Sequence, residues 1–494
     1  MPPTMAMPAT RRHGLFIAGH WREAASTFTS LNPATEEPVA KFAAASARDV
    51  GDAVAAARTA FDSGPWPRMP AAERGRVLQA AARILAERAE DFALAETADT
   101  GKPIHESRTI DVPTAADSLD YYGCLVRSIA GAAIPVGDAV TATTVREPVG
   151  VVGAVTPWNF PVVLACRKLG PALAAGNTVV IKPASLAPLT TVMLADVFAA
   201  AGLPPGVLNV VTGSGSEAGQ ALLVDPRIDK LSFTGSTAVG RDVLAATARS
   251  IGRCSLELGG KSPAVVLADA DLDAAVEGIL FGAFLNQGEC CCAATRVLVD
   301  ARVQDDFVAR LARRAETITV GDPLDEATRM GPLISADHRA GVLAAIDEAV
   351  TAGCRVASGG GAPAGLKRGY YVAPTVLDNV PAWHRLAREE IFGPVLPVTA
   401  YAGEDALVAA ANDTVYGLAA SLWTRDLARG RRLADRIRAG TVWINVHNLV
   451  FNNAPYGGFK ESGLGRECGP EGFDAYTEIK TVMTWIAPEP FRWY

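Results

Sequence analysis

Three adjacent cysteines, Cys290, Cys291 and Cys292, lie in Asn286-Gln-Gly-Glu-Cys-Cys-Cys-Ala-Ala-Thr-Arg296. Such residues admit three readings: small buried hydrophobes, metal ligands or a nucleophile. No C-x-x-C pair or nearby histidine supplies the spacing of a tetrahedral site, so no metal is expected. The surrounding glycine and amides suit a nucleophile, because a reactive thiolate needs a turn that exposes it and backbone N–H groups near its sulfur. Glu257 stands in Leu256-Glu-Leu-Gly-Gly-Lys261. Apolar flanks disfavour its charged form and bring it towards the range of a general base; the alternative is a surface carboxylate at a strand end. Asn159, in Thr156-Pro-Trp-Asn-Phe-Pro161, is held between prolines. Its amide N–H could be aimed at a developing oxyanion, or it could stabilise a turn.

Two glycine-rich stretches could cradle a phosphate. Gly213-Ser-Gly-Ser-Glu-Ala-Gly219, which contains Gly215, approximates a dinucleotide fingerprint with one extra residue. Phe233-Thr-Gly-Ser-Thr-Ala-Val-Gly240 follows an apolar run and opens a helical segment, whose unpaired N–H groups can receive a pyrophosphate. Ser236 or Thr237 can equally be a plain N-cap. Lys182 ends a further apolar run, where ribose hydroxyls or a phosphate would meet it.

These groups need a frame. Between residues 150 and 272, short β-branched runs at 150–155, 178–181, 207–211, 230–233 and 264–267 alternate with turns and Ala/Leu-rich segments such as 189–201 and 238–250. Val/Ile-rich strands alternating with helices predict a doubly wound α/β domain. Val50, Val54, Ala57 and Phe61 recur at helical spacing, so residues 47–110 read as helices packed on it. A second cycle at 303–313, 340–352, 407–412 and 441–444 predicts a second α/β lobe, with the site in the cleft between them. Segments 136–145 and 480–486 are β-rich and stand apart: they extend a sheet, pair with another subunit, or fold as a hairpin on their own lobe.

Length and composition narrow the class. At 494 residues the chain is too long for one core. With 49 % hydrophobic and 20 % charged residues it is ordinarily globular. Forty-six Lys and Arg against 53 Asp and Glu give −7, with no basic run, which argues against nucleic acid. The stretch from Met1 to Trp21 has no apolar run long enough for a secretion signal. Residues 148–166 are uncharged and about as long as a membrane span, but Pro157, Asn159 and Pro161 would leave polar groups unpaired in lipid, so a buried strand running into a loop is expected. Eight cysteines without a signal peptide indicate a reduced, cytoplasmic setting.

Pro157-Trp-Asn-Phe-Pro161, Ile181-Lys-Pro-Ala184, Phe233-Thr-Gly-Ser236, Leu256-Glu-Leu-Gly-Gly260, the 286–292 segment, Glu390-Ile-Phe-Gly-Pro394 and Pro455-Tyr-Gly-Gly-Phe-Lys460 occur in that order. Together they resemble the NAD(P)-dependent aldehyde dehydrogenase superfamily over nearly the whole chain, a far more specific signal than any single motif. The resemblance implies a Rossmann-like doubly wound cofactor domain (1–125 and 149–259), a second α/β catalytic domain (260–462) and a small β oligomerisation element (126–148 and 463–494). It implies that Cys291 is the nucleophile, that Asn159 and the Cys291 N–H hold the oxyanion, and that Glu257 activates water, with the family lysine Lys168 nearby. Cys290 and Cys292 are then packing neighbours. Lys182 resembles the adenosine-ribose residue, Gly235 to Gly240 the pyrophosphate loop, and Glu390 with Phe392 the contact to the nicotinamide ribose and ring. Trp158, Ser185, Gly215, Phe233, Ser236 and Leu258 complete the cofactor set, and Leu164, Arg167, Leu285, Val450 and Tyr456 the substrate tunnel.

The sequence departs from the family pattern in four places. Ser185 replaces a ribose-binding Glu of many NAD-preferring members, so NAD is favoured and NADP accepted. Arg167 resembles the arginine that holds the carboxylate in succinate-semialdehyde dehydrogenases, but Leu285 stands where that subgroup has a second Arg. Glu289 replaces the usual Gln, adding a negative charge that raises the thiol pKa. Residues 445–456, with His447 and Asn448, resemble phenylacetaldehyde-type members. The expected reaction is oxidation of an aromatic or medium aliphatic aldehyde to its acid by a homotetramer or homodimer, assembled through 136–145 and 480–486. A semialdehyde dehydrogenase, a CoA-acylating enzyme and a non-catalytic protein on this fold are the alternatives, and His447 is a minor rival to Glu257 as base.

Overall fold

The computed structural model describes residues 12–248 and 250–493. Residues 1–11, which open the stretch read above for a secretion signal, and Arg249, in the segment 238–250, lie outside the described residues.

The first sheet has five parallel strands in the order Arg253–Glu257, Lys230–Thr234, Val151–Thr156, Thr178–Pro183, Leu208–Val210. Gly463–Leu464 pairs antiparallel at one edge, Leu15–Ile17 and His20–Arg22 at the other. The middle strands are buried on both faces, which is why they lack polar alternation. Helices Pro161–Ala175, Leu189–Ala200 and Ala71–Glu87 share one core with the sheet, and Ala47–Asp62 packs in a second, through Val50, Ala53, Val54 and Ala57. Ser46 and Asp49 start that last helix with a reciprocal capping box. Strand order reverses between Val151–Thr156 and Lys230–Thr234, so the turns carrying Trp158, Asn159 and Gly235 leave from neighbouring carboxyl ends at a topological switch point, where α/β sheets bind ligands.

The second sheet runs Arg355–Ser358, Thr375–Asp378, Val395–Tyr401, Ala294–Asp300, Ser262–Val266, Ala419–Trp423, Thr441–Ile444, parallel except for the first strand. The structure corrects one expectation here. The run at 264–267, read as the last strand of the first domain, forms Ser262–Val266 at the heart of the second sheet, and the fifth parallel strand of the first is Arg253–Glu257, read only as a chemical motif. A βαβ rhythm marks strands but not the sheet they join, and Gly259-Gly260 carries the chain across in one turn.

A third sheet joins Ala133–Pro135, Val140–Pro148 and Thr477–Trp485, the last two paired antiparallel from Val140↔Trp485 to Pro148↔Thr477. Thr477–Trp485 is an edge strand with exposed Ile479, Met483 and Trp485. Residues 463–474, placed above with this element, instead add the Gly463–Leu464 edge and the helix Gly469–Asp474 to the first lobe. No helix of the described residues is long and apolar enough to cross a membrane, and residues 151–156 are a buried strand as expected.

Candidate active site

Cys291 follows a turn bent by three consecutive left-handed residues, Asn286 (φ 49°), Gln287 (φ 56°) and Gly288 (φ 76°). A Cβ on Gly288 would sit 2.5 Å from the Gly393 oxygen, so only glycine fits. The turn is held from outside: Glu106 Oε2 accepts the Asn286 N–H at 3.0 Å, and Asn286 Nδ2 donates to the main-chain oxygens of Asn159 (2.8 Å) and Glu289 (3.1 Å). Left-handed non-glycine residues cost about 1 kcal/mol each, and this network offsets that cost. Gly260 is equally constrained, since a Cβ there would lie 2.4 Å from the Cys291 carbonyl oxygen.

The three thiols are not equivalent. Cys290 and Cys292 are buried and their sulfurs lie 3.6 Å apart, whereas Cys291 is half-buried. Asn448 Nδ2 donates to Gly282 O at 3.2 Å, which fixes its amide so that Oδ1 faces Cys292 Sγ at 3.2 Å. Cys292 Sγ donates to that oxygen, while the thiols of Cys290 and Cys291 draw its pKa well below the usual thiol value. The Cys290 thiol draws the Cys291 pKa down, but Cys292 and burial outweigh it and push it up to about 12. Tyr456 Oη lies 3.5 Å from Cys291 Sγ, a contact beyond the tunnel role expected of Tyr456. All three sulfurs lie within 4.8 Å of one another, and His447, the histidine beside them, has both ring nitrogens hydrogen-bonded elsewhere.

Glu257 ends its strand with both carboxyl oxygens buried and unpartnered. Burial raises its pKa well above the carboxylate range; Glu467 adds to this and Lys168 opposes it. Glu467, which no sequence motif singled out, binds Lys168 Nζ at 2.6 Å, and Ser232 Oγ accepts from the same ammonium at 3.1 Å. Asn159 Nδ2 donates to Glu289 O at 3.0 Å, which fixes its amide and commits one of its two N–H bonds.

Cys291 and Glu257 line one cavity with Leu164, Arg167, Leu258, Leu285, Val450 and Tyr456, so all five predicted tunnel residues meet there. Ile110, Asp111, Thr114 and Phe160 join them unpredicted. Arg167 Nε has no partner, and its guanidinium lies 5.9 Å from the Tyr456 ring centre.

Two expectations are revised. Burial pushes the Glu289 pKa well above the carboxylate range and so disfavours the charge expected there, a shift that the Ile334 N–H, donated to its Oε1 at 3.0 Å, opposes. His447 spends both ring nitrogens, on Ser421 Oγ (2.9 Å) and Cys292 O (2.8 Å), and burial lowers its pKa to about 4. It positions the Cys292 carbonyl and has no free nitrogen to serve as a base.

The remaining predicted residues form a second cluster. Glu390 Oε1 accepts the Gly260 N–H at 2.9 Å, and burial raises its pKa to about 7. Trp158 packs edge-on against Phe392, centroids 5.4 Å apart, and His338 Nε2 meets Phe392 O at 2.7 Å. Gly235 and Gly240 are packed against Phe233 and Leu258, where a Cβ would come within 2.5 Å of either side chain, and Ser236 Oγ accepts from Val239 N at the helix start. Further along the sheet, a Cβ on Gly219 would lie 3.8 Å from the Lys182 stem, Ser185 is half-buried, and Gly215 is open. Lys182 Nζ is buried, its pKa lowered by burial to about 8, with Pro183 O as partner and donors to spare. A spare buried ammonium, a helix start and strand ends at the switch point fit a dinucleotide.

A thiol and an unpartnered carboxyl in one cavity, beside such a crevice, define a cysteine-dependent oxidoreductase layout. Comparison with known proteins is specific. The chain belongs to the aldehyde dehydrogenase family, whose model matches residues 21–482. It is 42 % identical to betaine aldehyde dehydrogenase 1 of Oryza sativa subsp. japonica, covering 99 % of each chain. An NAD-dependent aldehyde dehydrogenase from Sinorhizobium meliloti superposes with TM-score 0.97 at 41 % identity, covering 100 % of this chain and 99 % of that one. The NAD+ complex of an aldehyde dehydrogenase from Bacillus cereus does so with TM-score 0.95 at 40 % identity, covering 97 % of each.

Proposed function

We propose that this aldehyde dehydrogenase oxidises an aldehyde to its carboxylic acid with NAD+ through a thiohemiacetal and a thioester on Cys291. The observation that carries the reading is the unpartnered Glu257 carboxyl sharing a cavity with the one half-buried thiol of the cysteine trio. Cys291 gives up its thiol proton to solvent as its Sγ forms a bond to the aldehyde carbon and the carbonyl π pair moves to oxygen, and the second Asn159 N–H and the Cys291 N–H receive that oxyanion. A dinucleotide held in the neighbouring crevice would supply the acceptor for the hydride of this carbon. Glu257 then takes a proton from water, whose oxygen adds to the thioester carbon, and the Cys291 sulfur departs with a proton as the acid forms. A base with both oxygens free for water favours hydrolysis over transfer to CoA. Lys182, the 235–240 loop, Glu390 and Phe392 would hold the dinucleotide. Similarity to the NAD-dependent Sinorhizobium enzyme supports NAD+, and the missing carboxylate at Ser185 supports some use of NADP+.

The cavity walls of Ile110, Phe160, Val163, Leu164, Leu285 and Val450 suit an aromatic or medium aliphatic aldehyde. Arg167 favours a second reading, an aldehyde with a distal carboxylate, and it opposes the cationic head of betaine aldehyde. Cofactor reduction measured with phenylacetaldehyde, hexanal, succinate semialdehyde and betaine aldehyde, using each dinucleotide, tests all of this. Hexanal and phenylacetaldehyde are expected to exceed betaine aldehyde in kcat/KM. Arg167→Leu is expected to lower kcat/KM for the semialdehyde by roughly 10- to 100-fold relative to hexanal, the worth of one charged hydrogen bond. An unchanged ratio removes Arg167 as selector, and an NAD+ preference of roughly a thousandfold or more ends the NADP+ reading.

The Thr477–Trp485 edge, with its exposed apolar side chains, supports assembly of two or four copies of the chain. Sedimentation equilibrium is expected to find an oligomer that Ile479→Asp with Met483→Asp converts to a smaller species; an unchanged mass places the interface elsewhere. The eight free thiols support a reducing, cytoplasmic setting.

A further inference from the structure

Lys102 is a fully buried ammonium that the reaction above leaves unused. It follows Gly101 (φ 81°), the left-handed residue that ends the helix Ala89–Thr100. Its Nζ lies 2.5 Å from Asp111 Oδ2, 3.9 Å from Glu96 Oε1 and 4.1 Å from the centre of the Phe160 ring. It also donates to the main-chain oxygen of Asn159 at 3.0 Å. Asn286 Nδ2 donates to the same oxygen at 2.8 Å. Two donors from distant parts of the chain therefore grip one carbonyl, in a turn that belongs to neither the strand before it nor the helix after it. The Asn159 amide leans in turn on Glu289 O, which Asn286 also holds.

Four buried carboxyls surround this network, Glu96, Glu106, Asp111 and Glu289, with Lys102 as the cation among them. Burial alone would strip the Lys102 proton, but Asp111 and Glu96 outweigh it and hold the pKa above its ordinary value. A neutral amine or an apolar side chain would leave Asp111 without its counter-charge, and the Asn159 peptide would keep Asn286 alone. An oxyanion donor works only where its N–H is fixed before charge develops, and an error of about 1 Å can cost roughly 100-fold in rate.

We propose that Lys102 is a positioning residue of the oxyanion hole: through the Asn159 carbonyl it sets where the Asn159 amide points, without touching substrate. The proposal rests on the reading of Asn159 as the oxyanion donor. The test is a double-mutant cycle. Lys102→Met is made together with Asp111→Asn, so that no lone buried charge remains. This pair is expected to lower kcat by roughly 10- to 100-fold with KM within about twofold, and Asn159→Ala by roughly 100- to 1000-fold. Combined, they are expected to be no slower than Asn159→Ala, because Lys102 acts only through that amide. Losses that multiply, or a wild-type kcat in the Lys102→Met pair, overturn the proposal. An unchanged kcat in Asn159→Ala alone overturns the oxyanion reading instead. Should the pair fail to fold, Lys102→Arg keeps the charge, but its planar fork is drawn to Asp111 and off the single carbonyl. The same kcat loss without additivity is then expected, and additive losses overturn the proposal.

Discussion

Replacing Cys291 by Ala is expected to abolish cofactor reduction with every aldehyde, a fall of about 10⁴-fold or more, while the protein remains folded. Its neighbours cannot take over. Cys292 is committed as a donor to an Asn448 amide fixed by Gly282, and Cys290 is buried. The substitution removes one sulfur from a half-buried site, so the change in stability should stay within about 1 kcal/mol. Mass spectrometry of the wild type, quenched during turnover, should find the acyl group on the peptide carrying Cys291; activity retained in the variant would remove the thioester altogether. Because the Cys291 pKa is pushed up to about 12, alkylation of the resting thiol should accelerate steadily as pH rises through the neutral range.

Glu257→Gln is expected to separate the two halves of the reaction. The amide keeps the shape but cannot take a proton from water. The first turnover should survive as a burst of one reduced cofactor per subunit, and steady turnover should fall by roughly 100- to 10,000-fold, with acylated protein accumulating. The sign of the pH dependence follows from burial and the Glu467 charge, which raise this carboxyl. A raised carboxyl pKa leaves less base at low pH, so deacylation should weaken as pH falls and recover as it rises, at a higher pH than an ordinary carboxylate would show. Glu257→Gln should lose this dependence. A variant with no burst would mean that Glu257 is needed before the thioester forms, and a wild-type steady rate would mean that another group activates water.

Legibility in the sequence followed physical range. Cys291, Glu257, Asn159 and the glycines around them announce themselves because each needs special local backbone, and local backbone is written in neighbouring residues. Alternation of apolar runs and helical segments likewise exposed both lobes. What it could not show is which sheet a strand joins, and so the run at 264–267 was assigned to the wrong one. Lys102, Glu106 and Asp111 were invisible for a related reason. Lys102 matters through Asn159 and Glu106 through Asn286, reached across 57 and 180 residues, Asp111 matters through Lys102, and a lysine after a helix-ending glycine looks like any surface lysine. Glu467 was hidden in the same way, its partner Lys168 lying 299 residues earlier. Glu289 stands out in the sequence, but the burial that disfavours its charge does not, because burial cannot be read from a carboxylate's neighbours in sequence.

The base ends a strand of one sheet, and the nucleophile stands just before Ala294–Asp300 of the other, with Gly259-Gly260 crossing between them. Base and nucleophile thus belong to different halves of the molecule and meet only along their seam. Gentle heating or dilute denaturant that slackens this seam should silence turnover while both sheets still give their full circular-dichroism signal, making activity a more sensitive gauge of integrity than secondary structure.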